Sequence, residues 1–161
     1  MLATTRTKTT ATQTGRRIVL IDIENVVGGQ VHTLDQALWA KEKLENSGLF
    51  SSCDHIVLGV GPAGYVNVGV AWPQARKVVR DGSDGADLAL LEILTTENLS
   101  DRFDDVVVIS GDHIFAEAVA LTAKSANVTV ACWSASLSPQ LFLASPTIHF
   151  LDEGFEYAMA A

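Results

Sequence analysis

Three stretches of this sequence bring acids into places where acids are costly. Asp22 interrupts an apolar run, Ile18-Val19-Leu20-Ile21-Asp22-Ile23, and is followed by Glu24 and Asn25. Asp84 and Asp87 stand three apart in Asp81-Gly82-Ser83-Asp84-Gly85-Ala86-Asp87, where a helical pattern opens. Asp112 ends Val106-Val107-Val108-Ile109-Ser110-Gly111-Asp112. Carboxylates gathered from remote segments repel one another unless a positive charge lies between them. With hard oxygen donors, and neither cysteine nor paired histidine nearby, that charge is expected to be Mg²⁺ or Mn²⁺ rather than Zn²⁺.

Each acid also has an ordinary structural role open to it. Asp112 precedes a helical pattern and suits an N-cap. Asp84 with Asp87 approximates a capping box, and for Asp84 capping outweighs a ligand role. Asn25 suits an Asx-turn, and Glu24 suits a solvated loop. Asp22 is the exception, because an acid inside a buried strand must be paired or bound. Its own segment offers only Arg16 and Arg17, at the opposite strand end.

The elements that must position these acids follow from the hydrophobic pattern. Runs at 18–23, 55–60, 106–110 and 128–133 are nearly continuous in apolar, β-branched residues. Such runs suit parallel strands covered on both faces. Shorter strands are predicted at 77–80 and 147–151. Helices are predicted at 34–46, 65–72, 87–96, 113–125 and 138–144. Leu34, Leu38, Trp39 and Leu44 are expected to face inward from the first, and Leu88, Leu91 and Leu94 from the third. Strands alternating with helices imply an α/β protein, a three-layer α/β/α Rossmann-like sandwich with a central, mostly parallel sheet. In such sheets ligands bind outside the carboxyl ends of the strands, and all three acid segments lie there.

Composition bounds the function. The 161 residues are 48% hydrophobic and 19% charged, with 11 Lys+Arg against 19 Asp+Glu and a net charge of −8. Such a chain is a folded domain, and no apolar run reaches the roughly 20 residues of a membrane helix. Two cysteines without Cys-x-x-Cys spacing argue against a disulfide framework and for a reducing, cytoplasmic setting. Residues 1–15, with seven threonines, read as a disordered leader; 16–155 read as the domain and 156–161 as a tail. Arg6, Lys8, Arg16 and Arg17 are among the 11 basic residues, so residues 18–161 hold 7 against 19 acids, a net of −12. General attraction to nucleic acid is therefore absent. The basic cluster Arg76, Lys77 and Arg80 is the best candidate for phosphate contact, against the alternative of charges guarding an edge strand. Tyr65, in a loop after the second strand, is a candidate for base stacking.

The segments quoted above also resemble a known family. Ile18–Asn25 looks like the opening strand of NYN domains, a PIN-like ribonuclease group. Gly85-Ala86-Asp87-Leu88-Ala89-Leu90-Leu91 resembles their central helix start. Ser110-Gly111-Asp112-His113-Ile114-Phe115 resembles their "SGDxDF" segment. The order and spacing match across residues 17–152. The resemblance implies a metal-dependent endoribonuclease acting on RNA phosphodiesters, with Asp22, Asp87 and Asp112 as metal-binding, catalytic acids. Asn25 and Ser110 would be supporting polar residues, with Glu24 or Asp84 compensating for missing acids. Two departures stand out: Ile114 occupies the place of the second acid of "SGDxDF", and Glu92 is out of register with an acid along the central helix. The competing expectation is a catalytically weak or inactive NYN-like module that binds RNA or a protein partner. Relatives of this kind often form homodimers. A nucleotide binder of flavodoxin-like shape is a third expectation, since Gly59–Gly64 is glycine-rich but lacks a P-loop lysine.

Overall fold

The computed structural model describes residues 15–152 and the backbone of a strand at 156–158. The leader expected at 1–15 falls outside these residues except for Gly15. Six parallel strands run β1 (Arg17–Asp22), β2 (His55–Val60), β3 (Arg76–Val79), β4 (Asp105–Ile109), β5 (Asn127–Cys132) and β6 (Thr147–Phe150). Their spatial order is β3-β2-β1-β4-β5-β6. A seventh strand, β7 (Glu156–Ala158), pairs antiparallel with β6, so part of the segment read as a tail extends the sheet.

The order reverses direction between β1 and β4, which pair in register from Arg17 with Asp105 to Ile21 with Ile109. That reversal opens a crevice above the carboxyl ends of these two strands, where loops depart to opposite faces. This is the α/β, Rossmann-like three-layer fold expected from the sequence.

Helices cover both faces. On one side, α2 (Leu34–Glu45) and α3 (Tyr65–Ala71) pack on Val19, Ile21, Leu58, Val60, Val107 and Ile109. On the other, α4 (Gly85–Thr96), α6 (Ala116–Thr122) and α7 (Pro139–Ala144) pack on Leu20, Val57, Val106, Val108 and Val130. Two short helices not anticipated from the sequence, α1 (Ile23–Val27) and α5 (Leu99–Arg102), fill loops.

The inward faces of two helices differ from the expectation. In α2, Ala37, Ala40 and Leu44 are buried, while Leu34, Leu38 and Trp39 are exposed. Small residues let this helix sit close to the sheet, so its large apolar residues end up on the rim. Thr33 fixes its start through a capping box with Gln36, which satisfies two otherwise unpaired backbone N–H groups. In α4, Ala86, Ala89, Leu90, Ile93 and Leu94 face the sheet and Leu88 is exposed. Gly59 of β2 permits this close approach, since a Cβ there would lie 2.6 Å from the Leu90 Cγ. The segment expected as a helix at 113–125 begins as a 3₁₀ turn, His113–Phe115, before α6.

Candidate carboxylate site at the strand switch point

β1 delivers Asp22 to the crevice between β1 and β4. Even-numbered residues of β1 face the α4 side, so Asp22 points toward α4 and is only 3% exposed. Two donors fix its carboxyl group. Ser110 Oγ, just past β4, donates to Oδ2 at 2.9 Å, and the Asn25 N–H donates to Oδ1 at 3.2 Å. The second contact makes Asp22 the N-cap of α1. Asp22 is thus the buried acid expected from the sequence and also a helix cap, a role the sequence did not suggest for it.

Asp87 comes from the first turn of α4 and shares a hydrogen bond with the Asp22 side chain. Two carboxyl groups can do this only if one carries a proton. Burial is the largest cause raising the Asp87 pKa, which reaches about 8; the hydrogen bond and charge of Asp22 come next, then the charges of Asp112 and Asp84. Asp22 is also shifted upward, chiefly by burial, although its hydrogen bonds oppose the shift.

Asp112 joins the site electrostatically. Its Oδ1 accepts from the Ile114 N–H at 3.0 Å and caps the 3₁₀ turn. Its own N–H donates to Ser110 Oγ at 3.2 Å. Ser110 therefore links Asp22 to Asp112 through one hydroxyl. His113 Nδ1 lies 3.1 Å from the same Oδ1, on a side chain that is 71% exposed. Among the described residues, no group of three His, Cys, Asp or Glu side chains stands at metal-ligand spacing. The pair Asp22–Asp87 could share a hard cation, with Asp112 a further negative charge beyond it.

The supporting residues are placed by backbone contacts. Asn25 Oδ1 accepts from the Gly111 N–H at 3.1 Å and from Ser136 Oγ at 3.5 Å, tying α1 to the loops after β4 and β5. Nothing in the sequence marked Ser136; only the fold brings it here. Gly111 is required at this junction because a Cβ would lie 2.2 Å from the Ser136 carbonyl oxygen. Glu24 Oε1 accepts from the Gly61 N–H at 3.2 Å, bridging to the turn after β2. Asp84 precedes α4 but makes no side-chain capping bond, so the capping box expected with Asp87 does not form.

The basic cluster is organised differently from the expectation of phosphate contact. Arg76 makes a two-pronged ion pair with Glu97, at 3.0 and 2.7 Å, and Arg80 pairs with Glu92. Both arginines are thereby bound to α4 at the outer edge of the sheet. Lys77 is half-buried on β3. Tyr65 opens α3 and is exposed.

No family model matches this chain, and no curated protein matches it. The chain is similar in structure to a crystal structure of a protein of unknown function from Vibrio parahaemolyticus, with a TM-score of 0.58 and 16% identity. The match covers 89% of this chain and 96% of that one. At that identity the likeness supports the fold. No helix among the described residues is long and apolar enough to cross a membrane.

Proposed function

We propose that this chain is a metal-dependent ribonuclease of NYN type that hydrolyses RNA phosphodiester bonds. The observation that carries this reading is the Asp22–Asp87 pair, two carboxyl groups in hydrogen-bond contact in the crevice where an open α/β sheet binds ligands. A buried acid beside a half-buried one, repelled further by Asp112, is a site whose charge favours a hard divalent cation. Asp22 and Asp87 would hold Mg²⁺ or Mn²⁺, with Asp112 and Asp84 adding negative potential. When bound, such an ion lowers the pKa of a coordinated water and neutralises charge developing on phosphate.

The chain's own residues do the positioning. Ser110 and the Asn25 N–H hold both oxygens of Asp22, so its orientation is set before substrate arrives. Asn25 and Gly111 lock the two strand ends that carry Asp22 and Asp112. A bound cation would neutralise the two carboxylates that hold it and offer a phosphate oxygen a positive partner in a mouth that is otherwise acidic. Both cysteines are free, Cys53 exposed and Cys132 buried, which suits a reducing compartment such as the cytoplasm.

The second reading is a non-catalytic NYN-like module that binds RNA or a protein partner, alone or as a homodimer. Ile114 favours it, because the side chain standing where the family has an acid is packed against the α4–α6 core. Cleavage of single-stranded RNA separates the two. The ribonuclease is expected to be stimulated by Mn²⁺ and silenced by EDTA and by Asp22→Ala. Activity surviving Asp22→Ala at saturating metal refutes the site.

A further inference from the structure

The helix α3, Tyr65–Ala71, contains no charged residue. A helix at a protein surface ordinarily turns charged or polar side chains outward. Here the outward face shows Val66 and Val70, which are 72% and 60% exposed, with Tyr65 beside them. Its one side-chain amide is already engaged, since Asn67 Nδ2 donates to the His32 carbonyl at 3.3 Å. Gly69, on the same face, answers no need within the chain. Its φ is not in the left-handed region, and among the described residues a Cβ there would meet nothing within 4 Å. A glycine inside a helix weakens it, so what this position offers is a recess that a neighbour can approach closely.

The helix α2 widens the face. Its ties to α3 are the His32–Asn67 bond near its start and the Lys41 Nζ bond to the Ala71 carbonyl, at 2.9 Å, further along. Leu34 and Leu38 lie between those ties, 37% and 44% exposed, and continue the apolar surface. The five exposed side chains offer roughly 500 Å², near the upper end of the largest apolar patch on a monomer. Two borders of opposite charge enclose it. On α2, the exposed acids Asp35 and Glu42 form a ridge. Trp39 lies past that ridge, stacked on Trp133 with ring centroids 6.2 Å apart, and belongs to a separate part of the rim. On the other border is β3. Lys77 pairs in register with Leu58, whose side chain lies on the α2–α3 side of the sheet, so Lys77 points to that side too. Arg76 and Arg80 are held by Glu97 and Glu92, whereas Lys77 makes no ion pair among the described residues.

From this geometry we propose that the α2–α3 face is where two copies of this chain meet about a two-fold axis. Three properties of the face select a second copy as its occupant. Covered on both copies, it removes about 1,000 Å² from water, the area at which a specific contact becomes stable. Its borders complement each other. A two-fold axis running along the helices lays the Asp35–Glu42 ridge of one copy against the Lys77 border of the other. Its centre is uncharged, so pairing like with like buries no unpaired charge. The face lies across the sheet from α4, the helix that carries Asp87. The contact therefore stands whether or not the acids cleave RNA.

The test is sedimentation velocity on the full chain across micromolar concentrations, with a reducing agent present so that Cys53 forms no cross-link. Wild type is expected to show a reversible monomer–dimer equilibrium. Val66→Asp buries a charge at the centre of the contact and is expected to weaken association at least about tenfold. Val66 is so exposed in the single chain that the fold is expected to be spared, which far-UV circular dichroism checks. Lys77→Glu is expected to weaken the dimer several-fold, and Lys77→Glu combined with Asp35→Lys and Glu42→Lys to restore it. Leu143→Ser, at an exposed apolar residue of α7 outside the face, is expected to change nothing. A wild type that stays monomeric throughout overturns the proposal, and so does a dimer indifferent to Val66→Asp. A monomer that binds neutral phosphatidylcholine vesicles, and loses that binding with Val66→Asp, overturns it in favour of a lipid surface. A dimer untouched by Lys77→Glu overturns the pairing of the two borders.

Discussion

The two ends of α4 treat negative charge in opposite ways. At its start, Asp87 meets Asp22, and neither forms an ion pair with a lysine or arginine among the described residues. Along its later turns, Glu92 and Glu97 are each met by an arginine from the β3 segment. The paired end needs nothing more, because each charge is compensated within the fold. The unpaired end is compensated only by taking up a proton or a cation. Buried like charges that evolution could have paired, as it did along the same helix, are the stronger pointer to a site.

Breaking the unpaired end should give the largest effect. Asp22→Asn is expected to lower metal-dependent RNA cleavage at least about 100-fold, the upper end of what losing even an outer partner of a metal ligand costs. A kcat within a few-fold of wild type would show that the acids are structural. Next comes the junction that holds the two strand ends together. Gly111→Ala forces a methyl group against the Ser136 carbonyl and is expected to cost about 1–3 kcal/mol, as overpacking does, read as a lowered urea midpoint.

A third experiment compares the pH response of the two ends. Asp87 has its folded pKa raised to about 8 from an ordinary 3.8, so the folded state holds its proton more tightly than the unfolded chain. The contribution of Asp87 to the stability of the metal-free protein is therefore fully present below the ordinary carboxyl range and is lost as pH rises toward 8, with a slope below about 1.4 kcal/mol per unit because Asp87 is partly solvated. Asp87→Asn should flatten that slope, and Mn²⁺ should offset it by binding the folded state alone. Thermal melts across pH 4–9, with and without Mn²⁺, check both statements; a flat wild-type profile refutes them. Glu97 is shifted the other way, held below its ordinary value first by its hydrogen bond to Arg76. Its contribution is present above the ordinary range and fades as pH falls through the folded value.

The smallest effect belongs to the paired end. Arg80→Gln removes an exposed ion pair and is expected to change stability by no more than about 1 kcal/mol, leaving RNA cleavage unchanged. A loss of RNA affinity in that variant would restore Arg80 to the phosphate-contact role read from the sequence and weaken the contrast between the two ends.

Much of this was legible before any coordinates. The six parallel strands follow from continuous apolar runs such as Val106–Ile109, which leave no face for solvent. Asp22 stood out because nothing else polar interrupts its run. The helix faces were harder, since Leu34, Leu38 and Trp39 look like a core stripe until Ala37 and Ala40 are seen to fit closer to the sheet. The arginines of the β3 segment looked like a basic patch for the same reason: their partners, Glu92 and Glu97, lie a helix away in sequence.

The chain alone set the alternation of strand and helix, the acidic balance, and the delivery of Asp22 and Asp112 to strand ends, because these depend on residue order and on water's exclusion from apolar runs. Only the folded structure decided which acid touches which, that Ser110 and Asn25 hold them, and that Trp39 rests on Trp133 at the rim. Those contacts join segments up to 111 residues apart, as from Asn25 to Ser136, and such distances are closed by packing the two faces of the sheet, not by local sequence.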